Sequence, residues 1–203
     1  MKHIRYHDST ITPSKVICVG RNYVEHIKEL NNETPDTMVL FNKPNSAISD
    51  TLYYIQEDCR FEGEICFLIK DKQIEGIGFG LDLTKAGIQN KMKAKGLPWE
   101  RAKAFDNSAV LSSFVKFEGD ITTIEMKLFV NDTLAQHATY DLMIYKPDEI
   151  LAEIDSFMSL EDGDIIMSGT PKGVATYCVG DRFRAEIIVE GKLILEVEFT
   201  AIN

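Results

Sequence analysis

Phe61-Glu62-Gly63-Glu64-Ile65-Cys66-Phe67-Leu68-Ile69 is the stretch on which the reading of this chain turns. It has the make-up of a strand. Alternate side chains of a strand point to opposite faces, so Glu62 and Glu64 share one, roughly 6.5–7 Å apart along it. The other face carries Phe61, Gly63, Ile65, Phe67 and Ile69, and the carboxylate face itself runs on into Cys66 and Leu68. A strand that is apolar on both faces is usually buried. Two carboxylates inside such a strand have to be neutralised, because isolated buried charge is very costly. A hard divalent cation does this with oxygen ligands. The plainer alternative is an edge strand whose glutamates face water.

The 203 residues suit one principal domain, with 1–14 as a short lead-in and 15–203 as the main unit. A hydrophobic share of 44% supports a full core. The net charge of −10 excludes non-specific binding to nucleic acid or to an anionic membrane surface. A small anionic substrate stays open, because positive charge can be focused locally. The first ten residues are polar, and no apolar run reaches the roughly 18 residues of a membrane span. Cys18, Cys59, Cys66 and Cys178 form neither a metal-type pair nor a secreted framework, which points to reduced thiols in a cytoplasmic protein.

Around the central stretch the patterns predict strands over 15–19, 38–41, 51–55, 73–83, 110–117, 124–130, 133–138 and 164–167, with a hairpin over 182–189 and 192–199. Helices are expected over 23–30 with Asn22 as cap, 84–95 with Thr84 as cap, 100–104 and 147–158. A loop is expected over 31–36. Gly76, Gly78 and Gly80 lack the spacing of a dinucleotide fingerprint and mark close backbone approach. The fold class is therefore α+β, strand-rich, with helices set between strands.

Four groupings carry chemistry. His26 and Glu29 are one turn apart on a helix, next to Arg21; a carboxylate beside an imidazole suits a general base, and the plainer alternative is a surface His–Glu pair. Glu62, Glu64 and Asp82 form an oxygen-only set suited to Mg²⁺ or Mn²⁺, although Asp82 also stands where a helix cap would. Lys103 would favour anionic substrate oxygens near such a site, or lie on a solvated helix face. The turn Ser168-Gly169-Thr170-Pro171-Lys172-Gly173 has neither phosphate-loop nor serine-elbow spacing, but its amides and the Thr170 hydroxyl suit a carboxylate.

Four motifs in this order resemble the fumarylacetoacetate hydrolase (FAH) family. They are Cys18-Val19-Gly20-Arg21-Asn22-Tyr23, Phe61-Glu62-Gly63-Glu64, Gly78-Phe79-Gly80-Leu81-Asp82-Leu83-Thr84, and Asp164-Ile165-Ile166-Met167-Ser168-Gly169-Thr170-Pro171-Lys172-Gly173-Val174. Lys95-Gly96-Leu97-Pro98-Trp99, followed by Ala102-Lys103, is most similar to the acylpyruvate hydrolase / FAH-domain-containing branch. The resemblance implies a mixed β-sheet roll of the FAH C-terminal-domain type, usually a homodimer. It implies Mg²⁺ or Mn²⁺ on Glu62, Glu64 and Asp82, a His26–Glu29 dyad, a substrate-contacting Lys103, and substrate contacts from Thr170, Arg21 and Gln89. The chain departs from the family where Lys85-Ala86-Gly87 replaces Ala-Arg-Asp after Thr84, which bears on the support of Asp82. It departs again at Phe61, where a histidine is common.

The activity implied is metal-dependent hydrolysis of a C–C bond in small 2,4-dioxo acids, acylpyruvates or fumarylacetoacetate-like compounds, to pyruvate-type products. His26 would activate the water. The same site would also serve a 2-oxo diacid isomerase or tautomerase, an oxaloacetate decarboxylase, or a non-catalytic oxo-acid binder.

Overall fold

The computed structural model describes residues 1–29 and 37–203, with only the backbone described at His26, Ile27 and Lys28. The expected loop over 31–36 lies outside the described residues. In chain order, the hairpin β1 (Ile4–Tyr6) and β2 (Ser9–Ile11) precedes β3 (Lys15–Gly20), α1 (Val24–Glu29), β4 (Val39–Pro44) and β5 (Ile48–Ser49). Then come β6 (Cys59–Phe61), β7 (Gly63–Lys70), β8 (Gln73–Asp82), β9 (Thr84–Lys85), α2 (Ala86–Ala94), α3 (Glu100–Lys103), β10 (Ala109–Leu111) and β11 (Val115–Lys116). The chain closes with β12 (Glu125–Val130), β13 (Thr133–Thr139), α4 (Pro147–Asp155), β14 (Ile165–Met167), β15 (Ala175–Thr176), β16 (Arg182–Val189) and β17 (Lys192–Thr200).

The largest sheet runs β4-β3-β14-β7-β8-β10-β5, with β11 also on β8. It is mixed: β14 lies parallel to β3 and β10 parallel to β5, while β7 pairs antiparallel with both β14 and β8. A second sheet, β13-β12-β16-β17, packs across one face. Ile65, Phe67 and Ile69 of β7 enter the core shared by the two sheets, together with Met126, Leu128, Phe183 and Ile187. The opposite face of β7 puts Cys66 and Leu68 into a smaller cluster with Val16, Ile48, Phe114 and Met167. The strand is thus buried on both faces, and the water-facing edge alternative does not apply.

Several local expectations change. The stretch 61–69 is not one strand. It breaks at Glu62, because β6 pairs with β9 and β15 in a small separate sheet while β7 belongs to the large one. Residues 51–55 make only an isolated bridge, Tyr53 to Ile202, and 110–117 splits into β10 and β11. Thr84 does not cap α2. It lies in β9, its hydroxyl goes to Glu62, and the Gly87 N–H near the helix start donates instead to Asp58 Oδ2 at 2.8 Å. Asn22 does not cap α1. Its amide ties Ser168 O to the backbone of Tyr145. Helix α4 stops at Asp155, leaving Phe157 exposed beyond it.

The glycine run of β8 is explained by crowding. A Cβ on Gly78 would lie 2.8 Å from the Phe114 ring, and one on Gly80 would lie 2.7 Å from Cys66 Sγ. Both distances are shorter than carbon contacts allow, so the glycines let the two layers close. Gly78→Ala is expected to lower stability by about 1–3 kcal/mol in denaturant unfolding. Phe114→Leu in the same chain is expected to return part of that loss. An unchanged midpoint for the single variant would contradict the crowding account.

Candidate metal and substrate site

The acidic residues meet at the seam where β7 and β8 begin and end. Register places Glu64 opposite Gly80, and the Asp82 N–H donates to Glu62 O at 2.8 Å. One carboxylate oxygen from each of Glu62, Glu64 and Asp82 lies within 4.8 Å of the others, and all three residues are buried. Asp82 is therefore spent on this cluster rather than on a helix cap.

Lys103, from α3, enters this cluster. Its Nζ is 2.8 Å from Glu62 Oε2, 2.6 Å from Asp82 Oδ2 and 2.6 Å from Thr84 Oγ1. The Thr84 hydroxyl donates in turn to Glu62 Oε1 at 2.8 Å. The solvated-face alternative for Lys103 fails, since its side chain is 3% exposed. Lys43 sits fully buried on the far side of Asp82, with Nζ 2.7 Å from Oδ1, and also donates to the Lys103 and Ser108 carbonyls. That contact is a charge pairing without hydrogen-bond alignment, because Asp82 Oδ1 is buried and makes no hydrogen bond. Lys43 was not anticipated. Followed by Pro44-Asn45-Ser46 it reads as a turn, and its only signal is its place at the end of an apolar run. It also answers the departure after Thr84, since Asp82 is supported by Lys43 and Lys103 without the family's arginine.

Among the described residues Glu64 makes no ion pair with a lysine, although the Lys103 charge acts on it. Its Oε2 accepts from the Gly169 N–H at 2.6 Å, which brings the 168–173 turn to the cluster. Gly169 has φ +101°, and a Cβ there would lie 2.7 Å from that of Asn22, so the turn follows this path only with glycine. Thr170, beside it, is buried. Glu29, at the end of α1, accepts from the Gly173 N–H at 3.0 Å. The helix of the expected dyad is thereby anchored to the same turn, while the His26 side chain lies outside the described residues. Gln89 is buried on α2. Arg21 follows β3 in a left-handed conformation, φ +59°, and its charge, with those of Glu62, Lys103 and Arg60, acts on the half-buried Lys93.

The electrostatics suit a cation. Burial, then the neighbouring Asp82 and Glu62 charges, push the Glu64 pKa well above the usual carboxylate range. Burial also raises that of Asp82, against the opposing pull of Lys103 and Lys43. Burial works against charge on Lys103, but Asp82 and Glu62 outweigh it and keep the amine protonated. Among the described residues the three carboxylates face the ammonium groups of Lys43 and Lys103, and Asp82 Oδ1 makes no hydrogen bond. An all-oxygen, anionic donor set of this kind fits a hard divalent ion.

A sign follows for stability in chelator. Folding makes Glu64 a weaker acid, so its contribution is full below its ordinary pKa of 4.5 and is lost as pH rises through the raised value. Glu64→Gln is expected to melt above the parent at pH 8, by roughly 3–5 °C for every tenfold loss of Glu64 acidity. The gap should close as pH falls toward 4.5. A gap constant with pH in thermal melts would contradict this electrostatic picture.

No helix of the described residues is long and apolar enough to cross a membrane. The family description "Fumarylacetoacetate (FAA) hydrolase C-terminal" matches residues 15–198. Oxaloacetate tautomerase YcgM of Escherichia coli K12 is 40% identical over 187 residues, covering 83% of this chain and 85% of that protein. The mitochondrial oxaloacetate tautomerase FMP41 of Saccharomyces cerevisiae is 33% identical, covering 93% and 92%. The crystal structure of fumarylpyruvate hydrolase from Pseudomonas aeruginosa, in complex with Mn²⁺ and pyruvate, superposes with a TM-score of 0.88 at 25% identity, covering 99% and 95%. The mixed-sheet roll, the family match over nearly the whole chain and these relatives agree: the chain belongs to the fumarylacetoacetate hydrolase family.

Proposed function

We propose that the protein is a divalent-metal-dependent tautomerase of small 2-oxo diacids, with oxaloacetate as the type substrate. The observation that carries this reading is the buried cluster of Glu62, Glu64 and Asp82 with a protonated Lys103 held between two of them. The expectation of C–C bond hydrolysis gives way to its alternative, because two curated relatives of high coverage are named oxaloacetate tautomerases. Hydrolysis stays as the second reading, supported by the fold shared with the Pseudomonas fumarylpyruvate hydrolase.

Glu62, Glu64 and Asp82 would hold the ion, Mg²⁺ or Mn²⁺, which supplies Lewis-acid stabilisation of negative charge on the 2-oxo oxygen. The residues of this chain do the rest. Lys103 acts as fixed positive charge beside the enolate and not as the base, because its carboxylate neighbours keep it protonated. The Thr170 hydroxyl, with Arg21 and Gln89, meets the substrate carboxylates. His26 takes the proton from C3, and Glu29, tied to Gly173, steadies its helix. The proton held on His26 then passes to the enolate oxygen, so the proton count balances and no bond between heavy atoms breaks. A hydrolase would need a water aimed at a second carbonyl, and none of these assignments requires one.

Enol oxaloacetate presented to the Mg²⁺-loaded protein should lose its enol absorbance faster than in buffer, with no matching release of pyruvate. Stoichiometric pyruvate would instead establish decarboxylation, and cleavage of acetylpyruvate would establish hydrolysis. Exhaustive chelation, or Glu62→Ala with Glu64→Ala, should abolish the rate, and its survival would refute the metal assignment. His26→Ala is expected to slow turnover roughly 100-fold or more while Mn²⁺ still binds.

A further inference from the structure

Gln136, on β13, lies outside every motif singled out in the sequence, yet it is 1% exposed and joins two of them. Its Oε1 accepts from the Gly63 N–H at 2.8 Å, between the two glutamates of the acidic cluster. Its Nε2 donates to Pro171 O at 2.9 Å and to Thr170 Oγ1 at 2.8 Å, in the turn that also holds Glu64. The chain makes room for it at two glycines. A Cβ on Gly63 would lie 2.8 Å from Gln136 Oε1, and Gly173, with φ +103°, packs so tightly on Ala135 that no side chain fits.

The backbone fixes which end of the amide is which. A peptide N–H only donates and a peptide carbonyl only accepts, so Gly63 must face the oxygen and Pro171 the nitrogen. The second amide proton then enters a lone pair of Thr170 Oγ1. The Thr170 hydroxyl hydrogen cannot point back along that bond, and its other acceptor among the described residues, Pro171 O, is distant at 3.5 Å. From this we infer that Gln136 is a positioning residue: it locks Thr170 as a hydrogen-bond donor toward the carboxylate of a bound 2-oxo acid, and so makes the site select an anionic acceptor there. The inference rests on the proposed contact between Thr170 and substrate, and deepens it.

Gln136→Glu tests it with almost no change of shape. A protonated glutamic acid has one O–H for the two acceptors that the amide serves. Spent on Pro171 O, it leaves an oxygen facing Thr170, and the hydroxyl must turn round to donate to it. Calorimetric titration with oxalate at saturating Mn²⁺ is expected to show affinity falling roughly 10- to 100-fold, the scale of a hydrogen bond to a charged group. Mn²⁺ affinity itself, read by electron paramagnetic resonance, should stay within about twofold, which a merely structural role would not produce. Thr170→Val should lose oxalate affinity to a similar extent, and combining the two should cost little more than either alone. Parental affinity in Gln136→Glu, or full additivity with Thr170→Val, would overturn the inference while leaving the proposed function standing. A parent protein that does not bind oxalate in Mn²⁺ would overturn both. Should Gln136→Glu not fold, a neutron structure of the parent with oxalate decides. Deuterium on Thr170 Oγ1 pointing at the ligand supports the inference, and deuterium pointing at Gln136 refutes it.

Discussion

The structure is organised by the burial of three carboxylates at one seam between β7 and β8. Hydrophobic packing fixes the strands: β7 is covered on both faces, and the glycines of β8 let the layers close over it. That packing leaves Glu64 and Asp82 almost wholly, and Glu62 largely, out of water, so their charge has to be answered from within the protein. Each answer recruits a distant part of the chain. Asp82 draws Lys43 from β4 and Lys103 from α3, Glu62 draws Thr84 and Lys103, and Glu64 draws the Gly169 amide. The site and the fold therefore share one set of constraints. A substitution at the carboxylates changes stability as well as chemistry, and the direction of the stability change depends on pH.

The two ends of the cluster are answered unequally. Glu62 and Asp82 lie against a lysine that remains protonated, whereas Glu64 has the Gly169 N–H and the more distant Lys103 charge, and is pushed toward holding its proton. Proton and metal would compete at Glu64 in particular. The asymmetry also divides the site by function. The Lys103 side is buried and charged, built from α3 and β9. The Glu64 side consists of backbone amides and a hydroxyl in the 168–173 turn, steered by Gln136 and joined to α1 through Glu29.

Much of this was legible in the sequence. The double-sided burial of 63–69 and the third carboxylate at Asp82 follow from alternation and from the motifs that resemble the family. The 182–189 and 192–199 hairpin was legible because Glu190-Gly191 sits between two alternating runs. The failures share a physical cause. Thr84 and Asn22 carry the right chemistry for helix caps, but tertiary partners outbid the local ones: Glu62 for Thr84, Ser168 and Tyr145 for Asn22. Lys43 and Gln136 could not be read at all. A buried lysine or glutamine is recognised by its partners, here 34 to 73 residues away, and no local pattern encodes those.

The departure after Thr84 shows how the fold absorbs a missing ion pair. Where the family pattern has Arg-Asp, Ala86-Gly87 supplies neither charge. The carboxylate reappears from another part of the chain: Asp58 Oδ2 takes the Gly87 N–H, in space that opens only because Gly87 has no side chain, since a Cβ would lie 2.5 Å from that oxygen. The positive charge near Asp82 is likewise met by Lys43 and Lys103. What cannot be replaced from a distance is an arginine's planar pair of donors, which matches a carboxylate in a way that point-like ammonium groups do not. The acidic cluster is therefore supported without the Arg-Asp pair, by two separate ammonium groups in place of one planar guanidinium.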